Sequence, residues 1–179
     1  PYLSLSAFAG QEELLAGAFP LPRADDPEFA VFRRRQQYWL EDYALFQAIR
    51  KQYGGMPWQQ WPEALKERNP EALARVGQEL AEEVTRAAGK QYVFFKAWGK
   101  IRRAARDRGI TLLGDMPLFV APDSADVWAH REYFQLDGDG YPTEVAGVPP
   151  DYFSAQGQVW GNPLYRWDAM AQDGWRWWQ

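Results

Sequence analysis

The residues best suited to chemistry lie between Ala146 and Trp167, where aromatic side chains alternate with prolines and glycines. The aromatic residues of this run are Tyr152, Phe153, Trp160, Tyr165 and Trp167. The run lacks the apolar–polar alternation of a strand and the three-to-four-residue repeat of a helix, and dense proline and glycine indicate an irregular loop. Loops lie on the surface, where clustered aromatic side chains indicate binding. Flat aromatic faces beside short polar groups would suit a sugar, which has apolar C–H faces and a rim of hydroxyl groups.

The segment that precedes this loop is mainly helical in pattern. Asp26 followed by Pro27 predicts a helix start, and apolar residues recur at helical spacing as far as Tyr53, before two glycines. Asn69 and Pro70 predict a second start, for a helix that continues towards residue 88. The sequence therefore predicts that helices fill most of the first half of the chain.

A long helix followed directly by an apolar run is the pattern of one β/α repeat. The helix is predicted to break or kink at Gly89, to resume from about Gln91 and to end at Gly109. The run 110–120 then predicts a parallel strand buried on both faces. Asp115 interrupts it, and a buried carboxylate is costly unless it is paired. From the pattern alone, Asp115 is either a functional acid or a structural one tied to backbone amides or an arginine.

Two acidic residues and two glycines at 137–140 predict a tight turn. The turn would join 134–136 and 143–145 in a hairpin, and Asp123 or Ser124 would cap a short helix before it. A calcium-binding loop of the EF-hand type needs glycine at its sixth position and glutamate at its twelfth, and neither is present when residues are counted from Asp137. The turn is therefore the preferred interpretation.

Composition excludes several classes of function. The 179 residues carry a net charge of −4, which argues against a nucleic-acid partner. There is no cysteine and His130 is the only histidine, so we expect no disulfides, no thiol nucleophile, no metal site and no cofactor. No signal peptide and no apolar run of membrane-spanning length is present, which favours a cytoplasmic location without a membrane partner.

Four stretches of the chain resemble the amylomaltases, the 4-α-glucanotransferases (disproportionating enzymes) of the α-amylase superfamily. These stretches are PYLSLSAFAG at 1–10, WLEDYALF at 39–46, GDMPLFVAPDSADVWA at 114–129 and AGVPPDYFSAQGQVWGNPLYRWD at 146–168, in the family's order. The resemblance implies an α/β fold, an incomplete (β/α)8 TIM barrel. It implies one partial catalytic barrel domain over 1–179, with a mainly helical insertion at 24–89 and an active-site loop at 146–162. Since such a barrel takes about 250 residues, an N-terminal fragment is implied.

The resemblance implies transfer of α-1,4-glucan segments between maltooligosaccharides by a retaining mechanism. In that mechanism a carboxylate attacks the anomeric carbon while a carboxylic acid protonates the departing oxygen. The family's substrate-binding residues fall on Tyr2, Asp115, Asp151, Tyr152, Phe153, Gln158 and Trp160. Its nucleophile and acid/base are expected beyond Gln179, so the chain carries no catalytic residue by this comparison. The loop 146–162 is expected to close over the bound glucan and exclude water.

The implied partners are maltooligosaccharides, α-1,4-glucans and the remainder of the chain's own barrel. One departure from the family concerns residues 11–13, Gln-Glu-Glu, where the family has an Asn-Pro pair. The connection from there to 39–46 is also shorter than the family's, which leaves open whether residues 10–38 are contiguous with a natural family sequence. Three alternatives stay open: a non-catalytic glucan-binding fragment, a folding or assembly fragment without a ligand site, and an α-amylase-type glycoside hydrolase.

Overall fold

The computed structural model describes residues 20–179, which form two compact units. The first, which we call the helical unit, contains residues 20–48 and 77–117. The second, which we call the tryptophan unit, contains residues 49–76 and 118–179. Each unit is described separately below.

Helices dominate the described part of the chain. The α-helices of residues 20–179 are α1 Pro27–Arg35, α2 Gln37–Gln52, α3 Glu63–Lys66, α4 Pro70–Glu79, α5 Ala81–Asp107, α6 Ala125–Ala129 and α7 Trp167–Gln172. Short 3₁₀ helices cover Trp58–Gln60, Arg131–Tyr133 and Arg176–Trp178. The strands β1 Val145–Val148 and β2 Gln158–Pro163 pair in one antiparallel sheet.

Helix α1 begins at the position that the sequence predicts. Asp26 is its N-cap, and Oδ1 accepts hydrogen bonds from the backbone N–H groups of Glu28 at 2.8 Å and Phe29 at 3.2 Å. The periodic segment is not a single helix, however, because Gln36 leaves helical geometry and separates α1 from α2. The core of the helical unit forms between α1, α2 and α5. In this core the Phe29 ring of α1 contacts the Tyr92 ring of α5, with centroids 5.4 Å apart.

Replacing Asp26 with alanine is expected to lower the free energy of unfolding by about 1 kcal/mol, since two N–H groups at the start of α1 lose their acceptor. Urea denaturation followed by circular dichroism measures this change. Asp25→Ala is the matched control, because its carboxylate pairs with Arg23 on the surface, with side chains 71% and 85% exposed, and such pairs contribute little. Equal losses in the two variants would show that the cap does not stabilise the helix.

The boundary between the next two helices lies at Leu80, so the predicted break at Gly89 is wrong. Asn69 caps α4 as predicted, and α5 then runs for 27 residues through Gly89. One interior glycine costs a helix only about 1 kcal/mol relative to alanine, and burial of the neighbouring Ala88 and Tyr92 offsets it. Helix α5 ends at Asp107 with Arg108 as its C-cap, and Gly109 follows with a positive φ of 67°, as predicted for the glycine that ends this helix.

The apolar run 110–120 forms no strand, which corrects the prediction of a buried parallel strand. Strands are defined by hydrogen bonds to a neighbouring strand, and no strand within residues 20–179 pairs with this run. The side chains of residues 110–118 are correspondingly exposed, and Leu113 is 98% exposed. Asp115 lies in this extended, solvent-exposed stretch.

The core of the tryptophan unit is organised by two fully buried indole side chains. Trp58 donates from Nε1 to the carbonyl of Pro122 at 2.8 Å. Trp128 donates from Nε1 to the carbonyl of Leu65 at 3.0 Å, and the Arg68 guanidinium lies 4.2 Å from its ring centroid. These bonds join segments more than 60 residues apart in sequence.

The residues around α6 resolve one alternative left by the sequence. Ser124 is the N-cap of α6, where its Oγ accepts from the N–H of Val127. Asp123 instead accepts from the backbone N–H of Trp58 and forms an ion pair with Arg50 at 2.9 Å.

The tight turn at 137–140 is confirmed, because Asp137 accepts the N–H groups of Asp139 and Tyr141 on its carboxylate and that of Gly140 on its carbonyl. The predicted hairpin around it is confirmed only next to the turn, where the N–H of Asp137 donates to the carbonyl of Tyr141 at 2.8 Å and the N–H of Thr143 donates to the carbonyl of Gln135 at 3.0 Å. Its predicted outer ends are wrong, since Phe134 bridges to Tyr165 instead. Val145 belongs to β1, whose partner is β2.

Candidate functional site

The aromatic run predicted as an irregular loop is in fact a β-hairpin with an irregular connection. Gly147 is opposite Val159 and Val148 is opposite Gln158, with an irregularity in register near Val145. Residues 149–157 connect the two strands, so the irregular-loop prediction holds only for this part. We call residues 145–163 the aromatic hairpin.

Two aromatic rings stand at the tip of the aromatic hairpin. Tyr152 is 97% exposed and Phe153 is 88% exposed, and their rings lie edge to face with centroids 5.6 Å apart. Asp151 precedes them, and its Oδ1 accepts hydrogen bonds from the N–H groups of Phe153 at 2.9 Å and Ser154 at 2.8 Å. Large apolar surfaces held in water mark an interaction site.

A third aromatic surface lies on β2. The Trp160 side chain is 48% exposed, and its Nε1 donates to the side-chain oxygen of Gln158 at 3.1 Å. The Phe119 ring meets Trp160 edge to face with centroids 6.0 Å apart. These contacts orient the indole while leaving half of its surface open.

Two residues attach the base of the aromatic hairpin to the segment 118–120. The sequence predicted no role for either of them in binding. Asn162 donates from Nδ2 to the carbonyl of Val120 at 2.7 Å, and the hydroxyl of Tyr165 donates to the carbonyl of Leu118 at 3.0 Å. The Tyr165 ring also stacks on Phe119. Both lie within the run 146–167 that the sequence singles out, and this position is the signal that could have identified them.

The structure groups five of the seven predicted site residues in one unit. Tyr2 lies outside the described residues, and Asp115 belongs to the helical unit. The others are the aromatic-hairpin residues Asp151, Tyr152, Phe153, Gln158 and Trp160.

No group of three or more histidine, cysteine, aspartate or glutamate side chains suited to a metal ion occurs within residues 20–179. The Nδ1 atom of His130 lies 3.7 Å from a carboxylate oxygen of Glu132, and the proximity of this imidazole lowers the pKa of Glu132. None of the helices in the described residues is both long enough and apolar enough to cross a membrane.

Two tyrosines beside the aromatic hairpin hold their protons unusually tightly. A hydrogen bond to the Asp173 carboxylate raises the pKa of Tyr133 to about 12, and the same bond lowers the pKa of Asp173. Burial raises the pKa of Tyr165 to about 12. Both hydroxyl groups are therefore neutral donors at physiological pH.

These pKa values predict a loss of stability at alkaline pH. Between about pH 10 and pH 12 the unfolded chain releases these protons while the folded chain retains them, so the free energy of unfolding falls as pH rises. Urea midpoints measured from pH 8 to pH 11 are expected to decline less steeply in the variant that combines Tyr133→Phe and Tyr165→Phe. Tyr152→Phe, at an exposed position, is the control and should follow the original chain; a parallel decline in all three proteins would contradict the prediction.

Comparison with a solved structure identifies the class of fold. The structure is similar to that of the amylomaltase from Streptococcus agalactiae in complex with acarbose, with a TM-score of 0.85 and 36% sequence identity. The similarity covers 98% of this chain and 36% of that chain. The chain therefore has the α/β fold of an amylomaltase over the part that it spans.

The family follows from the sequence matches. Residues 6–179 match the family model described as 4-alpha-glucanotransferase, and the chain belongs to this family. It is 55% identical over 150 residues to the 4-alpha-glucanotransferase of Thermus thermophilus and 50% identical over 147 residues to that of Aquifex aeolicus. The two matches cover 84% and 82% of this chain, which spans 30% of the length of each relative.

Proposed function

We propose that this chain forms the glucan-binding part of a 4-α-glucanotransferase, an enzyme that transfers α-1,4-glucan segments between maltooligosaccharides. The observation that carries the proposal is the exposed ring pair Tyr152–Phe153, held on a structured hairpin in a member of this family. The S. agalactiae relative was solved with acarbose, which supports a carbohydrate ligand.

The aromatic hairpin suits a glucan because its apolar surfaces occur beside polar groups. The rings of Tyr152, Phe153 and Trp160 offer flat faces for the C–H faces of glucose units. Ser154 and Gln158 add short polar side chains on the same hairpin. In this proposal the described residues bind the glucan, and the reaction follows the retaining mechanism of the family.

The proposal includes a finer account of the fold, a partial (β/α)8 barrel with a mainly helical insertion. The exposed apolar side chains of residues 110–118 support it, because their burial requires neighbouring segments that residues 20–179 do not supply. The relative's greater length supports it too, since this chain matches 36% of that protein. The domain bounds, the role of Tyr2 and the cytoplasmic location stay predictions.

Binding of maltoheptaose by the 179-residue chain, followed by tryptophan fluorescence, tests the proposal. We expect saturable binding that weakens about tenfold or more when Tyr152 and Phe153 are both replaced by alanine, which corresponds to about 1.4 kcal/mol. Tyr38→Ala is the control, because this exposed tyrosine lies in the helical unit. Absence of binding, or equal binding by the double variant, would overturn the proposal.

Incubation with maltotriose, with products resolved by size, separates binding from reaction. Binding without products would place this chain as the binding part alone. Glucose together with longer maltodextrins would show that catalytic groups also lie within these 179 residues. Reducing sugar without lengthened products would favour the hydrolase alternative.

A further inference from the structure

We propose that Asp151 is a positioning residue, which pre-forms the turn that carries Tyr152 and Phe153, and that its role in glucan binding is exerted through this turn. The inference rests on the proposed function only for its effect on glucan binding. The turn itself is a property of the chain without any ligand.

The first argument is the hydrogen bonding of the Asp151 carboxylate. Its Oδ1 accepts from two successive N–H groups, those of Phe153 at 2.9 Å and Ser154 at 2.8 Å. Its backbone N–H donates to the carbonyl of Ser154 at 2.9 Å. The four residues 151–154 are therefore closed by side-chain and main-chain bonds together, the arrangement for which aspartate is favoured in turns.

A second set of bonds secures the far side of the same turn. The hydroxyl of Ser154 donates to the carbonyl of Gly157 at 2.7 Å. The N–H of Gly157 donates back to the carbonyl of Ser154 at 3.1 Å. Ser154 thus links the turn that begins at Asp151 to the start of β2. The ring pair Tyr152–Phe153 therefore lies between two hydrogen-bonded residues, Asp151 and Ser154.

Fixing the backbone matters because the ring pair has little else to hold it. Tyr152 and Phe153 are almost fully exposed, and the aromatic contact found for each ring is with the other. Without the turn, these two residues would sample many backbone conformations, and binding would have to order them. A turn formed in advance removes that cost, so affinity depends on Asp151 even if the carboxylate never touches the sugar.

Two substitutions at Asp151 separate positioning from direct sugar binding. Asparagine keeps an Oδ1 acceptor in the same place for the two N–H groups, but removes the negative charge and changes the other oxygen to an amide nitrogen. Alanine removes the acceptor altogether. A positioning role tolerates asparagine, whereas a role as a charged sugar ligand does not.

The experiment uses the full 179-residue chain and its Asp151→Asn, Asp151→Ala and Ser154→Ala variants. Amide hydrogen exchange of Phe153 and of the residue at position 154 is measured by NMR without ligand, and maltoheptaose affinity is measured by fluorescence. We expect Asp151→Ala to speed exchange about tenfold or more and to weaken binding about tenfold. Asp151→Asn should stay within about threefold of the original chain in both measurements, and Ser154→Ala should fall between.

Two results would overturn the proposal. In the first, exchange is as fast in the original chain as in Asp151→Ala, so that no turn is pre-formed. In the second, Asp151→Asn keeps its slow exchange but binds as weakly as Asp151→Ala, which would make the carboxylate a direct ligand. Should the original chain not bind maltoheptaose, the proposed function fails, and the exchange measurement still decides whether Asp151 positions the turn.

Discussion

Gly140→Ala is expected to lower the free energy of unfolding by about 2–4 kcal/mol. A Cβ atom at this position would lie 2.2 Å from Cη2 of Trp58, far inside van der Waals contact. The indole cannot move aside easily, because it is fully buried and its Nε1 is bonded to the carbonyl of Pro122. Overpacking costs about 1–3 kcal/mol, and the positive φ of 87° adds about 1 kcal/mol for any residue with a Cβ.

Urea denaturation followed by tryptophan fluorescence measures this effect. Gly138→Ala is the matched control, because it lies in the same turn and nothing lies within 4 Å of its added Cβ. We expect the control to stay within about 0.5 kcal/mol of the original chain. Equal losses at 138 and 140 would show that contact with Trp58 is not what destabilises the protein.

Gly157→Ala is expected to weaken maltoheptaose binding about tenfold or more. A Cβ atom here would lie 2.5 Å from the carbonyl oxygen of Val148 and 3.0 Å from the carbonyl carbon of Pro149. Both obstacles are backbone atoms, so relief requires the connection between β1 and β2 to shift. Because the tip is exposed, we expect the free energy of unfolding to change by only about 1 kcal/mol.

Gly161→Ala is the matched control for this second prediction. Both glycines have positive φ, 73° at Gly157 and 79° at Gly161, so both substitutions introduce similar backbone strain. Only the Cβ at 157 meets other atoms, since nothing lies within 4 Å of the one at 161. Indistinguishable affinities for the two variants would exclude the steric contact as the cause.

Features set by a few neighbouring residues were predictable from the sequence. The caps at Asp26 and Asn69 each depend on one side chain and on two backbone N–H groups within the next three residues. The turn at Asp137 is equally local. Because such contacts need no distant partner, the sequence alone was enough to identify them.

Features that depend on distant partners were not predictable in the same way. Whether the run 110–120 forms a strand depends on a neighbouring strand, and its apolar pattern says nothing of whether one is present. Val145 was assigned to the wrong hairpin because its register partner, Pro163, lies 18 residues away beyond a connection whose length the pattern did not reveal.

In the candidate site, too, some features were predictable from the sequence and others were not. The exposure of Tyr152 and Phe153 follows from aromatic residues in a segment rich in proline and glycine, and the structure agrees. The internal bonds of Asp151 and Gln158 could not be derived, because they depend on the backbone angles of the connection and on which side of β2 each residue faces.

The attachment of the hairpin base has a consequence for how the sequence can vary. Asn162 and Tyr165 bond to main-chain carbonyls, which every amino acid possesses. Substitution at positions 118 and 120 therefore leaves both acceptors in place, whereas loss of either donor removes a bond that no other residue supplies at that point. Positions 118 and 120 can therefore change in side-chain identity while the hairpin remains anchored to their backbone, whereas Phe119 between them is constrained by its ring contacts with Trp160 and Tyr165.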